Sequence, residues 1–411
     1  MFSFNKKCRK TLAVKATMMC CGVLGWLILQ GCSDKVSNFE KVQSLVFKQD
    51  TDTKMSDRFS KFTFVQLETN DDCVIPDIRR IIDVSDTLVV LSNTGDIFTF
   101  DRNTGKYYGE ISSKGEGPEE YVEASDIVVA PDHSIGIVDR LRGDIKFFTV
   151  NGTFIKEKKI LGETAWLGDV ELASDGKLLC SNKLCGGNPP QKYAYMLADV
   201  YSGERPRMFD SFAPVTVGDY SSAFAEKPIT ACDGELHFLK FMNDTLFSYK
   251  DDAVKALNVL ATPTPFPSKD MVAKQGEFDI SKLAALSRNG NFFIGFNSIY
   301  ETKNILLLES IMPEVNGYYW VDKTAKEGYI RPCSPKIETM AEMLVEGKLV
   351  CHPVGSSDNE IIGYIGDELW FEEIKKVAQA GKVKPFNAKL KKFIEKIDVE
   401  GNPCLFIYSH K

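Results

Sequence analysis

The stretch Gly95-Asp96-Ile97-Phe98-Thr99-Phe100 returns 48 residues later as Gly143-Asp144-Ile145-Lys146-Phe147-Phe148. In both copies a Gly-Asp turn precedes an apolar strand, and a second turn follows at Asn103-Thr104-Gly105 or at Asn151-Gly152. A repeat of about 40 to 50 residues with four strands in each unit is typical of the blades of a β-propeller. The stretch therefore predicts an all-β protein built from repeated four-stranded sheets.

Short apolar runs broken by Gly, Asp and Asn continue on both sides of this repeat. Turn residues recur every 8–12 positions or so, which favours antiparallel strands over alternating strands and helices. The first unit predicts strands at Ile78–Val84, Thr87–Ser92, Ile97–Asp101 and Tyr107–Ile111. Later strands are predicted at Phe154–Lys158, Val170–Ala173, Lys177–Ser181, Glu235–Phe241, Thr245–Tyr249, Asn291–Phe296, Asn304–Leu308, Tyr318–Asp322, Leu349–His352 and Glu360–Ile365.

A few helices are expected at the periphery near the C-terminus. The predicted segments are part of Ser268–Leu286, Asp367–Ala380 and Asn387–Ile397. The last has apolar residues at i, i+3, i+4 and i+7 and lysines elsewhere, so it presents one apolar face. With only about two turns before another strand, it is expected to pack on the domain edge rather than on a membrane.

Two strand candidates lie at opposite ends of the repeating region, Phe62–Leu67 and Cys404–Tyr408. A propeller removes its open edge by pairing its N-terminal strand into its last blade. We therefore predict that these two segments pair. Residues 59–411 are then one domain. At about 45 residues per blade, residues 62–411 would hold close to eight blades. The helices and long connections at 263–290 and 366–400 lower the expected number to six, with seven as the alternative.

The first residues differ in character from the rest of the chain. Residues 1–31 contain five basic residues and no acidic one, and an apolar stretch from Ala16 to Leu29 ends just before Cys32. A basic start, a short apolar region and a small residue before the cut indicate a secretory signal. The cysteine resembles that of a bacterial lipobox, which implies that residues 1–31 are removed and Cys32 is lipidated. The alternative is a plain N-terminal membrane anchor.

Residues 32–58 are mostly polar and are predicted to tether the lipid to the domain, with a short apolar run at Val42–Phe47 that can add a strand. Removal of the signal takes the formal net charge from −7 to −12, which argues against nucleic acid as a partner. Seven scattered cysteines remain, and most are expected to be buried thiols. A disulfide bond between Cys180 and Cys185 remains an alternative.

Four segments in this order resemble the six-bladed β-propeller lipoproteins of Bacteroidota, which are distantly similar to NHL-repeat propellers. They are Val65-Gln66-Leu67-Glu68-Thr69, Ile97–Asp101 with Gly105-Lys106, Lys114–Tyr121, and Asn402-Pro403-Cys404-Leu405. The resemblance implies the fold and an envelope location, and specifically the outer membrane of a Gram-negative bacterium. The family has no agreed reaction, so the resemblance supplies no catalytic residue.

Lys114-Gly115-Glu116-Gly117-Pro118-Glu119-Glu120-Tyr121 is the sharpest local motif. Its glycines permit close approach of the backbone, and its simplest role is to connect one blade to the next. The alternative is a ligand site on the top face, with Lys114, Glu119 and Tyr121 at its rim. Asp139, which matches an Asp that ends the second strand of a blade in the family, completes the candidate ligand-binding set.

No catalytic motif stands out. Carboxylate pairs at Glu119-Glu120 and Asp358-Asn359-Glu360 are nominal candidates for glycoside hydrolysis, but such pairs are common in a chain with 57 acidic residues. The four histidines are isolated, and no sequence motif for a metal, a dinucleotide or a nucleophilic serine is present. No cofactor, no metal and no catalytic residue are therefore predicted.

These observations favour a monomeric, envelope-anchored lipoprotein that binds a ligand or partner without catalysis, the membrane being held through the lipid on Cys32. A glycan or an envelope protein is the expected partner. Two other classes stay open. One is a glycan-active hydrolase or lyase that uses acids in the propeller channel, and the other is a structural accessory subunit of an outer-membrane uptake complex.

Overall fold

The computed structural model of the chain describes residues 42–50, 57–160, 167–182, 193–202, 205–211, 226–240, 242–268, 285, 287–289, 292–312, 317–331, 336–345, 352–380 and 388–410. Within these residues the regular structure consists of 25 strands and three helices. The protein is thus mostly β with few helices, as the sequence predicts. Residues 1–31, Cys32 and most of the predicted helix within Ser268–Leu286 lie outside the described residues.

Four sheets contain four antiparallel strands each. In strand order they are β3 (Ile78–Val84), β4 (Thr87–Ser92), β5 (Ile97–Asp101), β6 (Tyr107–Glu110); β7 (Ala124–Val129), β8 (Ile135–Asp139), β9 (Asp144–Phe148), β10 (Phe154–Lys159); β11 (Leu167–Leu172), β12 (Lys177–Asn182), β13 (Tyr193–Asp199), β14 (Arg207–Ser211); and β23 (Pro353–Ser356), β24 (Glu360–Ile365), β25 (Cys404–Ser409), β2 (Lys61–Gln66).

A fifth sheet has nine strands. It consists of two antiparallel four-stranded meanders joined by β1 (Gln43–Gln49), which runs parallel to a neighbour on each side. The meanders are β15 (Ile229–Cys232), β16 (Glu235–Leu239), β17 (Thr245–Lys250), β18 (Ala253–Ala261), and β19 (Phe296–Glu301), β20 (Ile305–Ser310), β21 (Tyr318–Asp322), β22 (Glu327–Arg331). The apolar run predicted within the tether is therefore a strand, and it connects the outermost strands β18 and β22.

Tight turns set the register of these meanders. Ser85 and Asp86 between β3 and β4 have φ of 51° and 65°, and Asp251 and Asp252 between β17 and β18 have φ of 50° and 60°. Two-residue turns with both residues at positive φ match the twist of the strands that they connect. The turn at Ser85-Asp86 separates β3 and β4 at the bounds that the sequence predicts, whereas the turn at Asp251-Asp252 was not predicted.

The predicted pairing of the chain ends is confirmed. Strand β2 pairs antiparallel with β25 from Lys61 opposite Ser409 to Gln66 opposite Cys404. The first strands of the meanders contact one another in a closed cycle, in the order β3, β7, β11, β15, β19, β23 and back to β3. The arrangement is that of a β-propeller, with apolar layers between successive sheets.

Three helices lie close to the last sheet: α1 (Ile337–Val345), α2 (Glu368–Gln379) and α3 (Ala388–Ile394). The predictions of α2 and α3 are confirmed. Asp367 begins α2 by accepting hydrogen bonds from the backbone N–H groups of Leu369 and Trp370. The helix α1 and the strands β7, β13, β14, β15, β18 and β22 were not predicted, and β19 begins five residues later than the predicted Asn291–Phe296. Strand β23 follows the predicted Leu349–His352, of which the structure describes only His352.

Gly355 lies where β23 passes closest to β3. A Cβ atom at this position would be 2.3 Å from the backbone oxygen of Ile81. We expect Gly355→Ala to lower the free energy of unfolding by about 1–3 kcal/mol, because backbone atoms of two sheets would have to move apart. Urea unfolding measures the loss. The exposed Ser357→Ala serves as the control, and an unchanged midpoint for Gly355→Ala would contradict the close packing of these strands.

Candidate functional site

A cavity of about 530 Å³ lies at the N-terminal ends of the first strands, on the axis of their ring. Its wall is formed by residues from β3, β7, β11, β19 and β23 and from the segment just before β15. Most of the side chains are polar or charged. Those on which the chemistry depends are Arg79, Arg80, Asp126, Asp169, Lys227 and Glu309.

Arg80 is the centre of a buried ion cluster on this cavity wall. The residue is 6% exposed, and Nη1 lies 3.0 Å from Asp126 Oδ2 and 3.4 Å from Asp169 Oδ1. Nη1 also donates to the backbone oxygen of Val170 at 2.9 Å, and Nη2 pairs with Glu171. One guanidinium on β3 therefore joins the sheets that begin with β7 and β11.

A second cation completes the cluster from the opposite side. Lys227 Nζ lies 3.1 Å from Glu171 Oε1 and 3.8 Å from Asp169 Oδ1, and it donates to the backbone oxygen of Ile229 at 3.2 Å. Three carboxylates thus face two cations, with little water to separate them. The surplus negative charge must be held by other hydrogen bonds or by a proton.

The two aspartates of the cluster also connect neighbouring first strands. Asp126 on β7 accepts from the backbone N–H of Val170 on β11 at 2.9 Å, and Asp169 on β11 accepts from Ile229 on β15 at 2.7 Å. Their oxygens are therefore occupied by backbone and cations. This arrangement indicates that the two aspartates hold neighbouring first strands together rather than attack a substrate.

Burial raises the pKa of Asp169 to about 7, against the lowering effect of Lys227 and Arg80. This value is above that of an unfolded Asp, so the folded protein binds an extra proton between pH 4 and pH 7, roughly. The free energy of unfolding therefore falls as the pH rises through this window. Across this window the free energy of unfolding is expected to change by up to about 4 kcal/mol, and Asp169→Asn is expected to remove that change. Urea unfolding at several pH values, with the exposed Asp71→Asn as control, tests this; an unchanged slope would contradict it.

The opposite part of the cavity wall carries two further carboxylates. Glu309 accepts from the Tyr318 hydroxyl at 3.4 Å, and its pKa is raised by burial and by the charge of Glu226. Glu226 is exposed, and its backbone N–H donates to Asn297 Oδ1 at 3.2 Å. These two acids face the cavity without taking part in the Arg80 cluster.

A separate polar cluster occupies the other end of the first strands. His237 Nδ1 bonds with Glu301 at the end of β19, and Lys323 Nζ lies 2.7 Å from Glu301 Oε1. Lys323 also lies 3.7 Å from the sulfur of Cys232, whose pKa burial raises to about 12. The prediction that His237 lies within a strand is confirmed. Glu301 is 2% exposed, so this cluster connects sheets beneath the surface.

Lys114, Glu119 and Tyr121 lie in the connector between β6 and β7. Lys114 Nζ is 2.6 Å from Asp96 Oδ1 and donates to the backbone oxygen of Thr94 at 2.7 Å. Tyr121 is 1% exposed and its hydroxyl donates to the backbone oxygen of Gly95 at 3.0 Å, whereas Glu119 is exposed. The connector role is thus observed, and none of these three side chains lines the cavity.

Asp139 is fully buried at the end of β8. Its oxygens accept from the backbone N–H groups of Val122 at 2.6 Å, Leu141 at 3.0 Å and Arg142 at 3.1 Å. This side chain shapes the turn after β8 and fixes the connector beside it. That Asp139 and the three connector residues bind a ligand stays a prediction.

The comparisons with known proteins decide the family. Residues 39–409 match the model of a domain of unknown function, DUF4934. The chain belongs to the DUF4934 family. No curated protein matches it.

Comparison with solved structures finds chains similar to this DUF4934 chain. A Bacteroides fragilis protein described as a "putative exported protein" is 18% identical, with a TM-score of 0.67 over 90% of this chain and 100% of that chain. A member of the DUF4221 family from Bacteroides vulgatus is 12% identical, with a TM-score of 0.41 over 64% and 81%. The virginiamycin B lyase of Staphylococcus aureus is 11% identical, with a TM-score of 0.37 over 64% and 71%.

Sequence reasoning missed the Arg80 cluster of the DUF4934 chain. One signal was present: Arg80, Asp126 and Asp169 each occupy the third position of a first strand, and each is followed by an apolar residue. A polar residue repeated at one register of strands that line a ring must face its axis or a partner strand. Comparing the blades register by register would have found it.

Other observations limit the chemistry. In the described part of the DUF4934 chain, no group of three or more His, Cys, Asp and Glu side chains is arranged to hold a metal ion. Among the same residues, no helix is long and apolar enough to cross a membrane. Cys73, Cys180, Cys232 and Cys404 are buried free thiols, as predicted for most cysteines, and Cys185 lies outside the described residues.

Proposed function

We propose that this DUF4934 protein is an exported, lipid-anchored, six-bladed β-propeller that binds a ligand or protein partner in its axial cavity without catalysing a reaction. The observation that carries the proposal is the cavity itself. It has a volume within the range of small-molecule sites and a wall of charged side chains. The carboxylates of the Arg80 cluster already form ion pairs or hydrogen bonds with Arg80, Lys227 and backbone N–H groups. This favours a binding role over acid–base chemistry.

Six blades are supported by the cycle of six first strands and by the division of the nine-stranded sheet into two meanders. In this interpretation β1 is a strand added between the fourth and fifth blades. The anchor is supported by the sequence before Cys32. The outer membrane of a Gram-negative bacterium is the location that agrees with the family resemblance and with the description of the Bacteroides fragilis protein.

The anchor is tested with Cys32→Ser. The full chain is expected in the membrane fraction and to incorporate labelled fatty acid, and the variant is expected to be released without label. Retention of the variant in the membrane would overturn the lipoprotein proposal.

The binding role is tested with the full chain purified in detergent, by pull-down from native envelope and by a glycan array. Glu226→Trp fills the mouth of the cavity from an exposed position, and Glu395→Trp, exposed beyond α3, is the matched control. A partner that binds the wild type and the control but not Glu226→Trp is the expected result. Binding that survives Glu226→Trp would overturn the placement of the site.

A glycan-active enzyme is the second candidate, because Asp169 and Glu309 both line the cavity and both have a raised pKa. A carboxyl group whose pKa is raised by burial is what a general acid in glycoside cleavage requires. Release of reducing ends from an envelope polysaccharide, lost in Glu309→Gln, would replace the binding proposal with this one.

A further inference from the structure

One wall of the cavity carries a positive charge with only neutral partners. Arg79 on β3 is exposed, and its Nη1 donates to the backbone oxygens of Ala124 at 3.3 Å and Ser125 at 3.2 Å on β7. Within the described chain it forms no ion pair. Arg140 stands on the same side and is paired with Glu123. The guanidinium of Arg79 is thus held in place and remains electrically uncompensated.

Another part of the wall carries the opposite charge. Glu226 and Glu309 both line this part of the cavity. The backbone N–H of Glu226 donates to Asn297 Oδ1 at 3.2 Å, and the next residue, Ser298, lies opposite Glu309 in the pairing of β19 with β20. Neither carboxylate forms an ion pair with any described residue, because the neighbouring Lys227 is turned to Glu171 and Asp169. Two like charges without a cation repel each other, and a positive group between them would relieve that repulsion.

The two charged parts face each other across the ring. Strand β15 lies three places from β3 in either direction around the cycle of first strands. Lys227, the neighbour of Glu226, bridges to Ser298 at the start of β19, and Glu309 lies on β20, the next strand of that meander. The acids therefore belong to the side of β15 and β19, and Arg79 belongs to the side of β3 and β7.

We propose that the cavity binds a zwitterionic ligand of the short-peptide class, with its carboxylate at Arg79 and its ammonium group between Glu226 and Glu309. The inference rests on the proposed function and names the ligand of the same site. A guanidinium with free N–H groups pairs strongly with a carboxylate. A ligand with separated charges of both signs matches a cavity whose walls are charged in the same way.

Isothermal titration calorimetry on the full chain in detergent tests the ligand class. The probes are mixed-sequence tri- and tetrapeptides with free termini, with the N-terminus acetylated, with the C-terminus amidated and with both termini blocked. A mixture of free amino acids forms a separate arm. We expect free termini to bind, and each single block to weaken binding about tenfold or more. Free amino acids are expected to bind much more weakly than the peptides, because their two charges lie on one carbon atom and cannot reach both sides of the ring.

Variants assign each end of the ligand. In Arg79→Met, amidation of the C-terminus is expected to have no further effect, and in Glu309→Gln, acetylation of the N-terminus is expected to have much less effect than in the wild type. Arg205→Met and Glu395→Gln, both exposed and outside the cavity wall, are the controls and should keep both dependences.

The outcomes separate the ligand class from the binding role. Doubly blocked peptides that bind as well as free ones would overturn the inference. If no amino acid or peptide binds, while an envelope glycan or protein binds and Glu226→Trp abolishes it, the ligand class is wrong and the proposed function stands. If nothing binds, or if binding ignores Glu226→Trp, both are wrong.

Discussion

Arg80→Met is expected to lower the free energy of unfolding by about 3–5 kcal/mol, the usual cost of removing one member of a buried ion cluster. The variant leaves Asp126, Asp169 and Glu171 close together with only Lys227 to balance them. It also removes the bond to the Val170 oxygen, so the first, second and third sheets lose their common contact. Methionine keeps the aliphatic volume, so the loss reports the charge.

The neighbouring Arg79→Met is the matched control for stability, since Arg79 is exposed and bonds only to backbone oxygens among the described residues. Urea unfolding should separate the two variants clearly at pH 7. The loss in Arg80→Met should shrink at pH 5, where protonation relieves the repulsion among the carboxylates. Equal midpoints for the two variants would show that the cluster does not stabilise the ring.

Asn402→Ala is expected to cost about 3–4 kcal/mol, because the amide bonds to three buried or half-buried backbone groups. Its Oδ1 accepts from the Ile75 N–H at 2.7 Å, and its Nδ2 donates to the oxygens of Glu68 at 2.7 Å and Cys73 at 2.9 Å. The residue is 2% exposed. It thereby ties the segment between β2 and β3 to the start of β25, where the two ends of the domain meet.

Asn103→Ala is the control, because Asn103 is exposed in the turn after β5. Unfolding in urea gives the free energies, and hydrogen exchange at the Ile75 amide reports the local contact. Rapid exchange at Ile75 with a loss of global stability is the expected pair of results for Asn402→Ala. A stable variant with a protected Ile75 amide would rule out this role.

Local sequence signals predicted many of the strands, but they did not predict contacts between residues that are far apart along the chain. The bounds of β3, β4 and β5 follow from turns at Ser85-Asp86 and Gly95, which determine where each strand can begin and end. The partners of Arg80, by contrast, lie 46, 89 and 91 residues away along the chain. A polar residue in a strand does not indicate which distant residue it will meet.

The same limit explains the missed elements. Glu327–Arg331 has too few apolar residues in sequence to indicate a strand, yet β22 is paired on one side by β21 and on the other by β1. The closing pair β2 and β25 was predictable because a propeller requires it. Lys114–Tyr121 was distinctive in sequence for a local reason, since the Glu120 carboxylate folds back over Gly115 into the space that a Cβ would take.

The placement of β1 determines how the domain carries mechanical load. Its first half pairs with β18, from Gln43 opposite Asn258 to Val46 opposite Ala261, and its second half pairs with β22, from Phe47 opposite Gly328 to Gln49 opposite Ile330. In a chain held at Cys32, tension would enter at Gln43 and run along the strand axis. Hydrogen bonds that lie across that axis are loaded in shear and resist together. If the chain is anchored at Cys32 as proposed, a pulling force is therefore shared by both meanders of the nine-stranded sheet before either can separate.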